Sequence, residues 1–142
     1  MDDRLIPPFD TKTAIVVRDD LEMWQRLNVT GFLATGLAAA YPYLVGAEYR
    51  DADGCEYHRL LGVPMLVFEG TGEQLRASRD RASRRGQPLA IYTSDMFHTG
   101  HDEANRATVA AVAGHELDLV GLALHGPKNG VDKILKGTHL HP

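Results

Sequence analysis

The sequence predicts an α/β domain built on a mixed sheet, and three observations carry that reading. Short apolar or β-branched runs recur along the chain as strands: Thr13–Val17, Val63–Glu69, Pro88–Thr93 and Leu117–Leu124. Segments with helical spacing separate them, Glu22–Ala40, Gly72–Arg85 and His101–Ala113, and such alternation is the mark of helices laid on a sheet. Asp51-Ala52-Asp53-Gly54 is a hairpin turn between Ala47–Arg50 and Cys55–Leu60, so not all pairing is parallel.

Taken in order, Thr13–Val17 reads TAIVV, the continuous pattern of a strand buried on both faces. Asp19 and Asp20 end it and are able to cap the first helix. In that helix Trp24, Leu27, Phe32, Leu33 and Leu37 are the apolar positions, with small residues between them. Gly31 and Gly36 each cost about 1 kcal/mol against Ala, which suggests close backbone packing against the sheet. Pro42 closes this segment. After the second strand, Gly72–Arg85 ends at Gly86, and the third strand leads to the third helix. Asp102 and Glu103 stand in its first turn, where carboxylates suit the positive end of the dipole. Leu117–Leu124, LDLVGLAL, is the fourth strand. Gly126-Pro127 opens a last short helix to about Leu135, and Gly137 leads to a histidine-rich tail. No repeat, linker or low-complexity segment interrupts the pattern.

The 142 residues suit one domain, 1–142, with residues 1–12 as an N-terminal extension. A chain of this length buries roughly 68–70% of its unfolded surface, enough for a core without staples. Cys55 is the one cysteine, which excludes an intrachain disulfide and fits a reducing compartment. The start MDDRLIPPFD is acidic and broken by Pro7 and Pro8, unlike a signal peptide. No apolar run approaches the ~20 residues of a membrane span. A soluble cytoplasmic protein is expected. With a net charge of −4, nucleic acid is not an expected partner, since phosphate binding draws on Lys and Arg. Arg76, Arg79, Arg81, Arg84 and Arg85 form a local exception. They read as a phosphate-binding face or as a solvated face with a basic last turn, and the lack of interleaved aromatics favours the second.

Chemistry concentrates in Ile91–Arg106, IYTSDMFHTGHDEANR, where His98, Thr99, His101, Asp102, Glu103, Asn105 and Arg106 fall within nine positions. Zinc would take imidazole and carboxylate ligands, but Gly100 breaks the helix between the histidines and no Cys or His-Glu-x-x-His pattern accompanies them; no metal or cofactor is expected. In an acid-base reading His98 or His101 works with Asp102 as general base, Arg106 holds an anionic group bidentately, and Thr99 or Ser94 is a nucleophile or donor. No Gly-x-Ser-x-Gly elbow supports a serine hydrolase. In the structural reading Thr99 or Asp102 caps the helix, and Asn105 and Arg106 bond backbone and carboxylate. Asn28, a mediocre helix former early in the first helix, is a candidate for orienting a ligand at the end of the first strand. His125-Gly126-Pro127-Lys128 reads as a strand-to-helix turn or an anion site. Cys55 reads as a packing residue, and His139 and His141 as solvated.

Three segments together, IVVRDDLEMWQRLNVTGFLATGL, IYTSDMFHTGHDEANR and LVGLALHGPKNGVDKILKGTHLH, resemble the bacterial "domain of unknown function 2000" family, grouped with type-2 peptidyl-tRNA hydrolase-like folds. The resemblance runs from about residue 13 onward. It implies a three-layer α/β structure with a mixed, mainly four-stranded sheet flanked by helices, a homodimer, and no established activity. In the hydrolases a lysine and a glutamine near the start of the first helix are functional; laid on this chain, the first lysine of that stretch falls on Gln25, the second on Leu27 and the glutamine on Gly31. The hydrolases' carboxylate region falls near Ser94 and Asp95. The resemblance thus implies the fold without the hydrolase's catalytic set. The function expected is binding of a small polar or anionic ligand in a pocket at the strand-helix junctions. Asn28, Thr99, Asn105 and Arg106 would bind it, with His98 and Asp102 as the candidate catalytic pair. The alternatives are an ester or amide hydrolase with a His-Asp general base, and a non-catalytic dimeric interaction module.

Overall fold

The computed structural model describes residues 10–142. Residues 1–9 of the expected extension lie outside the described residues, while Thr11 and Lys12 already belong to the first strand. In chain order the first half comprises β1 (Thr11–Arg18), α1 (Met23–Ala40), β2 (Tyr49–Arg50), β3 (Glu56–Tyr57) and β4 (Leu66–Gly70). The second half comprises α2 (Gly72–Arg85), β5 (Ala90–Thr93), α3 (Asp102–Ala110), β6 (Leu119–Pro127), α4 (Lys128–Ile134) and β7 (His139–Leu140).

The main sheet has the order β5-β6-β1-β4-β7. β1 is parallel to β4, and every other pairing is antiparallel. Four principal strands therefore make the mixed sheet, and the histidine-rich tail adds a two-residue fifth at its edge. The antiparallel character comes from β6 and, at the edge, from β7; the hairpin β2–β3 stands apart as its own ribbon. Ala14–Val17 in the central strand are fully buried, and alternation along the strand divides them between two cores. Ala14 and Val16 join Leu75, Ala82, Val131 and Ile134 of α2 and α4; Ile15 and Val17 join Val29, Leu33 and Leu37 of α1. The result is three layers, with α1 on one face and α2 and α4 on the other.

α2 follows its sequence signals closely. Thr71 Oγ1 accepts from the Gln74 N–H at 3.2 Å, Gln74 Oε1 accepts from the Thr71 N–H at 2.9 Å, and Gly86 ends the helix at φ 68°. α1 departs from expectation in three ways. Its N-cap is Glu22, whose N–H donates to Gln25 Oε1 at 3.0 Å, and neither Asp19 nor Asp20 serves. Of its expected apolar positions only Leu33 and Leu37 are buried; Trp24, Leu27 and Phe32 face outward. Gly36 does approach the sheet, with the position of an added Cβ 3.2 Å from that of Ala90, but Gly31 faces open space. The closest approach of helix to sheet is set from the other side. A Cβ on Gly121 of β6 would lie 2.5 Å from Val29 Cγ1 and 2.9 Å from Leu33 Cδ1. Among the described residues no helix is long and apolar enough to cross a membrane.

Candidate functional site

β1, β4 and β5 end at the same edge of the sheet, and the helices that follow β1 and β4 pass to opposite faces. Open α/β sheets place ligands at such a divergence. Here the mouth is occupied by a polar chain. Arg18, at the end of β1, donates to Asp20 at 2.6 Å and to Asp118, just before β6, at 2.8 Å. The Ser94 hydroxyl donates to the other Asp118 oxygen at 2.6 Å. That hydrogen bond, with Arg18 beside it, holds the Asp118 carboxyl below its ordinary value of 3.8. Ser94 is therefore a donor to a carboxylate, and among the described residues no histidine is hydrogen-bonded to its hydroxyl.

Beyond Ser94 the chain makes a 3-10 turn, Ser94–His98, before α3. Phe97 anchors this turn on an aromatic chain, with ring centroids 5.9 Å from Trp24 and 5.2 Å from Tyr92, and Tyr92 in turn 5.8 Å from Phe32. The apolar residue inside the polar stretch thus fixes it against α1. His98 is exposed at the end of the turn. Thr99 is half-buried; its hydroxyl donates to the Met96 carbonyl at 3.1 Å and is hydrogen-bonded to the Asn105 side-chain amide. His101 caps α3, its Nδ1 accepting from the Ala104 N–H at 3.2 Å. Asp102 and Arg106 form an exposed i,i+4 pair at 2.6 Å. The capping role assigned to Thr99 or Asp102 falls to His101, and the carboxylate expected to serve a histidine serves Arg106.

Asp102, Asn105 and Arg106 come together on the wall of an open hollow of about 490 Å³, whose other lining residues are Ile91, Met96, Val109 and Ala110. Its three polar lining residues all come from α3, which also supplies Val109 and Ala110. Asn28 is not part of it. It lines a second, shallower hollow of about 320 Å³ on the outer face of α1 with Leu27, Gly31, Phe32 and Thr35. Phe32 of this second hollow is also the last ring of the Trp24–Phe97–Tyr92–Phe32 chain. Leu27 and Gly31, where the resemblance placed a hydrolase lysine and glutamine, both line the α1 hollow, which is uncharged.

Sequence reasoning passed over two clusters. Asp118 carries no motif, and only tertiary pairing with Arg18 and Ser94 reveals it. In the other, Glu69 of β4 accepts from Arg26 at 2.8 Å and lies 2.8 Å from His139 Nε2, while His141 Nε2 lies 2.9 Å from Arg26. Of the tail histidines expected to be solvated, His139 is indeed 61% exposed and His141 is half-buried, yet both are tied to the sheet edge, and His139 above all, with Arg26, holds the Glu69 carboxyl below its ordinary 4.5. Among the described residues no group of three or more His, Cys, Asp or Glu is placed to hold a metal ion. Cys55 is exposed rather than packed.

The chain matches the family model described as "Protein of unknown function (DUF2000)" over residues 11–142. It is also similar to a solved structure of a protein of unknown function from Agrobacterium tumefaciens strain C58. The two are 41% identical, the match covers 94% of this chain and 99% of the other, and the TM-score is 0.92. No curated protein matches it.

Proposed function

The chain belongs to the DUF2000 family of proteins of unknown function, with its type-2 peptidyl-tRNA hydrolase-like fold, and on that footing we propose that it binds a small ligand in the hollow beside β5. The observation that carries this reading is that Asp102, Asn105 and Arg106, neighbours on α3, line a recess whose other lining residues are apolar. A recess of this kind suits a molecule with an apolar body and a polar or anionic head: Ile91, Met96 and Val109 cover the body, and Arg106 and Asn105 take the head. Thr99 positions Asn105 through its hydrogen bond, and Asn28 lies outside the recess. The working unit in this reading is a cytoplasmic homodimer, and nucleic acid is not its ligand.

Hydrolysis by His98 and Asp102 would first require Asp102 to leave Arg106, whereas binding needs no such rearrangement. Peptidyl-tRNA cleavage is not expected, because Leu27 and Gly31 offer neither charge nor amide where the hydrolases use both. A thermal-shift screen of amphipathic carboxylates and phosphates, followed by calorimetry on each hit, tests the proposal. A ligand at about 100 times its Kd stabilises the protein by about 2.7 kcal/mol. Arg106→Ala is expected to weaken binding on the order of tenfold or more, while its loss of an exposed ion pair costs the free protein less than about 1 kcal/mol. Equal affinity in wild type and Arg106→Ala overturns the proposal.

A further inference from the structure

α1 is apolar on both sides, and only one side is covered by the sheet. Val29, Leu33 and Leu37 face the core, while Met23, Trp24, Leu27 and Phe32 are 63%, 57%, 67% and 56% exposed. At 3.6 residues per turn these four share roughly half the helix circumference with Asn28, Gly31 and Thr35, and Leu27, Asn28, Gly31, Phe32 and Thr35 line its hollow. No charged residue of the helix stands on this arc; the N-cap carboxylate of Glu22 borders it, accepting from the Trp24 indole N–H at 2.7 Å. Arg26, the one charged residue of the helix, is turned to Glu69 and to the backbone carbonyls of Leu21 and Asp19. A helix that is apolar all round is ordinarily buried all round.

We propose that a second copy of this chain covers the outer face of α1, the two α1 helices crossing about a two-fold axis near Gly31. This rests on the homodimer reading above and adds the face and the axis to it. Three observations favour a second copy. Each protomer carries a net charge of −4, so two copies meet at least cost through a face whose one carboxylate, Glu22, lies at its rim and is already bonded to the Trp24 indole N–H at 2.7 Å. A two-fold interface sets the same patch against itself, and this patch suits that, with large side chains at Trp24, Leu27 and Phe32 flanking a gap at Gly31. A Cβ at Gly31 would meet nothing within 4 Å, so the partner helix can approach the backbone there. The area is also of the right order. Side chains of this size, each more than half exposed, offer roughly 100 Å² apiece. The four together supply about half of the ~800 Å² per partner of a stable interface, before Asn28, Thr35 and the neighbouring Phe97 are added.

Sedimentation equilibrium at micromolar concentration tests this on the full chain, beside thermal melts of each variant. Wild type is expected at twice 15.6 kDa. Leu27→Glu and Phe32→Glu are expected at the protomer mass with native circular dichroism, because both positions are solvent-facing in the protomer. Gly31→Phe, which fills the gap, is expected to weaken association at least tenfold. Arg84→Glu, on the opposite layer, is expected to remain dimeric. A monomeric wild type overturns the homodimer reading together with this interface. A dimeric wild type with equally dimeric Leu27→Glu and Phe32→Glu leaves the homodimer standing and overturns the α1 face, as does an Arg84→Glu that dissociates as readily as they do.

Discussion

A single buried hydrogen bond shows how polar groups are accommodated at the centre of this molecule. Thr13 and His125 are 3% and 1% exposed, and Thr13 Oγ1 lies 2.8 Å from His125 Nδ1 across the β1–β6 pairing. Burying an imidazole is costly unless its nitrogens are bonded. Thr13→Val keeps the shape and removes the hydroxyl, so it is expected to destabilise the protein by about 1–3 kcal/mol, the cost of stranding a buried polar atom. Urea unfolding of the two proteins at neutral pH measures it, and a change under about 0.5 kcal/mol would show that water or a shift of the ring replaces the bond. The exposed residues of the polar stretch behave differently. Asp102→Ala removes an ion pair whose partners are both more than half exposed, and such pairs contribute about 0–1 kcal/mol. Its melting temperature should stay close to wild type, so any loss of ligand binding in that variant reports on the site rather than on folding.

Packing between elements depends on one absent side chain. Gly121 lets α1 settle on β6, and Gly121→Ala would force a methyl against Val29, Leu33 and the Val16 carbonyl. Overpacking of this kind costs typically about 1–3 kcal/mol, readable as a lower urea midpoint with an unchanged slope; an unchanged midpoint would mean that α1 shifts freely. This close contact was not legible in the sequence, because LDLVGLAL shows a glycine in a strand but not what lies above it. The strands themselves were legible, since burial on both faces leaves a continuous apolar run in β1 and β6. α2 was legible nearly to the residue, because its cap, its basic last turn and Gly86 are all local signals. α1 was only half legible. Its existence follows from spacing, but with apolar residues on every side the sequence does not say which of them face the sheet. The polar stretch was located correctly as a junction, yet its internal partners were not, because Arg106 reaches Asp102 more readily than a histidine does and His101 spends its nitrogen on a backbone N–H.

Charge is unevenly divided over the whole molecule, and the net value conceals it. Residues 72–85 and 128–136, which hold α2 and α4, carry eight Lys and Arg against three Asp and Glu, a local +5; the rest of the chain therefore carries −9 of the net −4. Within the basic layer Asp132 is paired with Lys12 at 2.7 Å and Asp80 with Arg79 at 3.2 Å. Arg81 donates to the carbonyls of Ile134 and Lys136, joining the two helices into one face. Arg84, Arg85, Lys128, Lys133 and Lys136 remain exposed on it. The arginine run that looked like one solvated helix is thus half of a two-helix basic surface. Fields of this extent act at the ~10 Å range of the Debye length at 0.1 M salt and collapse above it. An acidic protein with a sequence pI near 5.9 should accordingly be retained by a sulfonate cation exchanger at neutral pH and low ionic strength, and released as salt rises. The double change Arg84→Ser and Arg85→Ser should shorten that retention, while removing two charges elsewhere, as in Arg50→Ser with Arg59→Ser, should alter it little. Wild-type protein passing straight through the column would mean that the surrounding carboxylates cancel the face at the distances where a partner first feels it.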